Sequence, residues 1–180
     1  MENVVKKSIS DHVTFRIKSE ILDSLKSISR EEKLSLNTIV NQIFESHLNW
    51  DVHAAEVGWV VMLKAGLAEL IKHVDKETVS KIAKETAEAG SKEIALYMRG
   101  KYGIAEWISI IKDRAKMSGF KIKEYKDNDK IKLVLYHDMG ENWSVFFSTY
   151  HETVFYELGV TIKSDYTENS VVLELENVSL

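Results

Sequence analysis

Between residues 12 and 48 the apolar positions first alternate and then recur twice over at helical spacing, and few folds accommodate that order in so short a stretch. In HVTFRI, Val13, Phe15 and Ile17 fall on one face of a strand while His12, Thr14 and Arg16 fall on the other. Ser19 then stands as an N-cap, and Ile21, Leu22, Leu25 and Ile28 form the apolar stripe of a first helix. Asp23, Lys26, Ser27, Arg30 and Glu31 lie on its opposite face. After Lys33 and Leu34, Ser35 is a second N-cap. Ile39, Val40, Ile43, Phe44 and Leu48 make the stripe of a second helix.

Strand, helix, turn and helix at this spacing resemble the ribbon-helix-helix DNA-binding family, represented by the Arc, methionine and CopG repressors. The resemblance covers residues 12–48. It implies a homodimer in which each chain supplies one strand of a two-stranded ribbon laid in the major groove. By that resemblance His12, Thr14 and Arg16 contact bases. Arg16 can address guanine O6 and N7 with two donors, and Thr14 and His12 can meet base-edge acceptors. Ser35, Leu36 and Asn37 occupy the start of the second helix, where family members point backbone N–H groups at a phosphate. Ser35 and Asn37 are thus expected phosphate contacts, with Lys6, Lys7 and Lys18. Many members carry Gly in the turn between the helices; here either Lys33 takes up the left-handed backbone or the turn differs.

Charge alone does not announce nucleic acid. Residues 1–50 balance seven Lys or Arg against seven Asp or Glu, and the whole chain carries −4. Within residues 1–19, however, Lys6, Lys7, Arg16 and Lys18 oppose only Glu2 and Asp11, leaving +2 per chain and +4 per dimer. With 44% hydrophobic and 29% charged residues, the 180-residue chain has the composition of an ordinary globular protein. It has no run of 18 apolar residues and no apolar signal core at MENVVKKSIS, so no membrane association and a cytoplasmic location are expected. Absence of Cys removes disulfides, thiolate metal sites and thiol nucleophiles.

The expected fold class is α+β: a ribbon-helix-helix module at 1–50, then a helical segment and a ββαββ sheet-and-helix domain within 51–180 that senses an effector or sets the oligomer. Residues 51–74 are expected to form one long helix, since VGWVVMLKAGLAELI is apolar nearly all round. Asp75 caps a further helix with a stripe at Val79, Ile82, Ala83, Thr86, Gly90, Ile94 and Tyr97, ended by GKYG at 100–103. A third helix carries Ile104, Trp107, Ile108, Ile111 and Ala115 and stops at Gly119. FKIKEY and KIKLVLYH then alternate as a hairpin around DND, with Ile131, Leu133, Leu135 and His137 on one face. A helix with an aromatic stripe (Trp143, Phe146, Phe147, Tyr150, Val154, Leu158) closes at Gly159. GVTIKS and SVVLELE form the second strand pair around DYTEN.

Such a stripe is either core or the wall of a cavity for an apolar effector; Trp107, His137, Trp143, Phe147 and Tyr150 mark the place to look. No cofactor is expected. The nickel-sensing members of the resembling family raise the question of metal. His47, Asp51, His53 and Glu56 have spacing that permits ligation without a paired-His motif, and His137, Asp138 and Glu141 form a weaker set. Ser144 lies near His137 and Asp138 in sequence. No GxSxG elbow, GxxxxGKS or GxGxxG loop accompanies it, so no enzyme is expected. The other reading is an antitoxin, whose DNA-binding module is followed by a toxin-wrapping segment. The periodicity of residues 51–180 suits a folded domain, one that leaves the assembly a dimer or joins two dimers into a tetramer, better than a segment that orders only on binding.

Overall fold

The computed structural model describes residues 11–127 and 130–176. It is a mixed α+β structure that divides into two compact units between Glu45 and Ser46. Trp50, the residue after which the sequence changes character, is buried in the core of the second unit.

In the first unit, residues 11–18 form no regular element and α1 spans Ser19–Glu32. The strand expected at 12–17 does not form; among the described residues of the single chain it has no neighbouring strand to pair with. The N-cap is Lys18 rather than Ser19, because the Lys18 carbonyl already accepts the first helical bond from Leu22 N–H at 3.0 Å and no side chain caps the end. Lys33 adopts φ 55° and ψ 35°, as the turn requires. Leu34 N–H donates to the Ser29 carbonyl and Lys33 N–H to that of Arg30, the pair of bonds that closes a Schellman motif. Ser35 then caps α2 (Leu36–Ser46), its Oγ accepting from Thr38 N–H at 3.0 Å. Ile39 is the buried apolar side chain among the described residues of this unit.

The second unit opens with a π-helical stretch, His47–Asp51, and a short α3, Val52–Ala54. The long helix expected over 51–74 is broken. Gly58 sits at φ 84°, Gly58 N–H donates to the Ala55 carbonyl and Trp59 N–H to that of Ala54, and this Schellman closure ends the first helical piece. Residues 59–63 carry no regular element before α4, Lys64–Lys72. Asp75 caps α5 (Lys76–Arg99) through Thr78 N–H at 2.9 Å. The buried face of α5 is Val79, Ala83, Ala87, Ser91, Ala95 and Met98, one step round from the expected stripe, so Ile82 and Tyr97 are exposed. Small side chains at four-residue steps let α5 pack closely along α7 (Glu141–Glu157).

Helix α6, Ile104–Met117, leads into the hairpin of β1 (Lys121–Asp127) and β2 (Lys130–Tyr136), whose tip at 128–129 lies outside the described residues. After α7 come β3 (Lys163–Tyr166) and β4 (Ser170–Leu175). β3 starts later than GVTIKS suggests, because Gly159 and Val160 close the end of α7 through bonds to the Tyr156 and Phe155 carbonyls. The strands form one antiparallel sheet in the order β1-β2-β4-β3, with Leu133 opposite Leu173 and Leu135 opposite Val171. Ile131, Leu133, Leu135, Val171, Leu173 and Leu175 are buried on one face. Lys132–Glu174 and Lys130–Glu176 pair at exposed sites. Helix α7 lies against β3 and β4 as well as α5, and burial on two sides explains why its sequence is apolar nearly all round. Among the described residues no helix is long and apolar enough to cross a membrane.

Candidate functional sites

In the first unit His12, Thr14 and Arg16 are exposed, but so are Val13, Phe15 and Ile17 between them. Phe15 is 58% exposed and Phe44 of α2 45%, although their rings meet edge to face at 5.9 Å. Lys18 is the N-cap residue of α1. At the start of α2, Ser35 takes Thr38 N–H, while the N–H groups of Leu36 and Asn37 stand in the first turn, where a helix has no internal acceptor for them. The Asn37 side chain is exposed and its carbonyl accepts from the Asn41 amide at 2.8 Å. Lys6 and Lys7 lie outside the described residues.

The residues weighed as metal ligands are engaged separately. His47 Nδ1 lies 3.4 Å from Asp51 Oδ2, His53 packs its ring edge to face on Tyr97 at 5.6 Å, and Glu56 is exposed. Asp138 pairs with Lys64 at 3.8 Å and Glu141 with Lys76 at 2.7 Å. Among the described residues no three His, Asp or Glu side chains converge as a metal would require.

His137 and Ser144 do meet, Nε2 to Oγ at 2.9 Å, and both are buried. Their wiring is that of a strut. His137 Nδ1 accepts from Met139 N–H at 3.1 Å, so Nε2 carries the ring proton and donates to Ser144, whose Oγ–H donates to the Thr167 carbonyl at 2.6 Å. A general base would need the opposite tautomer, with Nε2 free to accept from the serine. Asp138 is exposed, with its carboxylate toward Lys64, and supplies no third member. Burial pushes the His137 pKa down to about 4, which keeps the ring neutral.

The five aromatic positions expected to line a pocket are brought together, chiefly as core. Trp107 stacks near Tyr150 at 6.1 Å and donates from Nε1 to His151 Nδ1 at 3.2 Å; His137 and Phe147 stack at 6.1 Å with nearly parallel planes. His151 is buried, its Nε2 has no partner among the described residues, and burial, aided by Arg114, pushes its pKa down to about 3. The concave space lies beside this stack. One cavity of about 520 Å³ borders α5, with Ile82, Glu85, Gly90, Phe146 and Tyr150 in its wall. A second, of about 330 Å³, includes Trp50, Met62, Lys64, Met117, Phe120 and Trp143 in its wall. Trp107, His137 and Phe147 line neither.

Gly58, Trp59 and Arg114 border both cavities. The Arg114 guanidinium lies 4.4 Å from the ring centre of Trp59, 5.0 Å from that of Phe147 and 6.0 Å from that of Tyr150. Among the described residues it makes no ion pair and no hydrogen bond, and burial lowers its pKa to about 10. Sequence reading passed over it, although a signal was there: Arg114 follows Ile111 by three and Trp107 by seven, a cation on the apolar stripe of α6. The chain matches no protein-family model and no curated protein sequence.

Proposed function

We propose that the protein is a sequence-specific DNA-binding transcriptional regulator that acts as a homodimer, with residues 12–17 of two chains pairing as a ribbon in the major groove. The observation that carries this reading is the apolar surface left bare on the first unit. Val13, Phe15, Ile17, Ile21, Ile43 and Phe44 are all exposed in one chain, beside two helices whose turn and second N-cap are well formed. A lone amphipathic helix pair of this size has too little core to hold itself together. Covering that surface with a second copy joins the two strand segments, faces Val13, Phe15 and Ile17 inward and turns His12, Thr14 and Arg16 outward toward base edges. The N-terminus of α2, with Ser35 and Asn37, then takes a backbone phosphate. The second unit sets the oligomer or senses an effector, and no cofactor or catalysis is part of the reading.

Selection of bound sequences from random DNA by the full chain, at one fixed salt concentration, tests it. A pseudo-palindromic site is expected, because the symmetry of the dimer is copied into its operator. Arg16→Ala should then lower affinity for that site by about 1–3 kcal/mol and relax preference at one base position. Failure to enrich any sequence, or a sequence-independent loss from Arg16→Ala, would overturn the assignment.

A further inference from the structure

Arg114 presents a problem that the proposed DNA reading does not solve. A half-buried cation normally has a carboxylate beside it, since withdrawing charge from water without compensation is unfavourable. Here three aromatic faces lie against the guanidinium instead and offer cation–π attraction. The donors of the guanidinium remain without an acceptor. Among the described residues the buried indole Nε1 atoms of Trp59 and Trp143, both cavity-wall residues, also have no hydrogen-bond partner, but unlike the guanidinium they are closed off from the cavity.

The two cavities that share Arg114 differ in charge. The larger has Glu85 in its wall, which repels an anion. In the smaller, Lys64 joins Arg114 and no acidic side chain contributes. Lys64 is held over the Phe120 ring at 5.3 Å, and its partner Asp138 is largely exposed at 3.8 Å, a pairing too weak to occupy the ammonium fully. Around these groups stand Met62, Met117, Met139 and Phe120, adaptable apolar surface suited to an irregular hydrocarbon body. A volume of about 330 Å³ falls at the small end of ligand pockets. An aromatic cage of this kind could hold a ligand cation, but this one already holds the protein's own.

We infer that the smaller cavity binds a small organic anion, a carboxylate on an aromatic or aliphatic skeleton, with the carboxylate at Arg114 and the apolar body among the methionines and Phe120. The guanidinium fork matches a carboxylate with two parallel N–H donors, and Lys64 adds a donor of the right sign. The site is independent of whether the chain binds DNA.

Isothermal titration of the full chain with benzoate, octanoate and 2-naphthoate, each against its neutral alcohol, tests the inference. Saturable binding of at least one carboxylate is expected, one per chain and at least tenfold tighter than its alcohol. Arg114→Met, which keeps the bulk and removes the charge, should bring the carboxylate down to the level of the alcohol. Because Arg114 has no partner to orphan, its thermal transition should not fall. Lys64→Met, which keeps the alkyl stem and removes the ammonium, should weaken the carboxylate several-fold and leave the alcohol unchanged. No saturable binding of any of the three carboxylates, equal affinity for acid and alcohol, or undiminished carboxylate binding in Arg114→Met would each overturn it. Should Arg114→Met fail to fold, the comparison of acid with alcohol in the wild-type chain decides alone.

Discussion

In the second unit α7 is covered by the sheet on one side and by α5 on the other, and Phe155 and Val154 are completely buried within a single chain. In the first unit α2 presents Ile43 and Phe44 to solvent and buries only Ile39 among the described residues. Both are built from capped amphipathic elements, and local signals are satisfied equally well in each. What differs is whether one chain contains the complementary surface. Burial of apolar area is the main stabilising term in folding, so the second unit has its own source of stability, whereas the first, under the proposed dimer, would draw it from a second copy. That contrast yields expectations that grow finer as the effects become smaller.

Acid should separate the units most strongly. His137 and His151 are buried neutral in the second unit, with pKa values near 4 and 3 against an ordinary 6.5. Below pH 6.5 the unfolded chain therefore takes up protons that the folded chain refuses. Stability contributed by the neutral rings is complete above that value and falls as the pH drops toward 4; below the folded-state pKa values the loss levels off. At pH 4 the penalty is on the order of 3 kcal/mol for each ring. Urea titrations from pH 7 to pH 4 should show the midpoint of the second unit falling steeply, and His151→Phe should remove about half of the slope. A flat profile would mean that neither ring is held neutral by its surroundings.

Deleting one phenyl ring in each unit comes next. Phe155→Ala opens a cavity in a closed core and should cost about 3–5 kcal/mol at every protein concentration. Phe44→Ala removes a ring that one chain leaves nearly half exposed, so its effect should appear only where chains associate. Thermal melts across a wide concentration range should find a wild-type first-unit transition that rises with concentration and a Phe44→Ala transition that lags behind it. If the first unit melts at one temperature throughout, its apolar face is not covered by a second copy.

What could be read from the sequence follows the same division between local and non-local causes. Ser35, Asp75, Gly100 and Gly119 mark helix ends through bonds to residues a few positions away, and each does so in the structure. The strands β2 and β4 were legible because a sheet with one wet face imposes alternation, whereas β1 is exposed along most of its length and was legible from FKIKEY alone. The break at Gly58 was not, since an all-apolar run has no period with which to place a turn. The face of α5 was displaced because its buried residues are chiefly Ala and Ser, weak hydrophobic signals chosen for close approach to α7, while Ile82 and Tyr97 point outward. Of the candidate sites, the alternation of 12–17 was legible and its pairing was not, as the second strand would come from another molecule. The aromatic surround of Arg114 depends on Trp59, Phe147 and Tyr150 meeting from distant positions, which no local pattern encodes.

The smallest effects are the most discriminating, because the two units contain the same local device. Ser35 caps α2 by accepting from Thr38 N–H at 3.0 Å, and Asp75 caps α5 by accepting from Thr78 N–H at 2.9 Å. Chemically the two lesions Ser35→Ala and Asp75→Ala are alike, each leaving one first-turn N–H without its acceptor. Asp75→Ala should lower the melting temperature of the second unit by roughly 2–4 °C, with no dependence on concentration and no effect on DNA affinity. Ser35→Ala should lower the first-unit transition by a similar amount. It should also weaken binding to all DNA sequences alike, since α2's N-terminus is proposed to hold a phosphate, which carries no sequence information. Melting both variants and titrating each against specific and scrambled duplexes at one salt concentration separates the outcomes. Equal DNA affinity for Ser35→Ala and wild type would remove the N-terminus of α2 from the proposed interface while leaving the ribbon to be tested through Arg16.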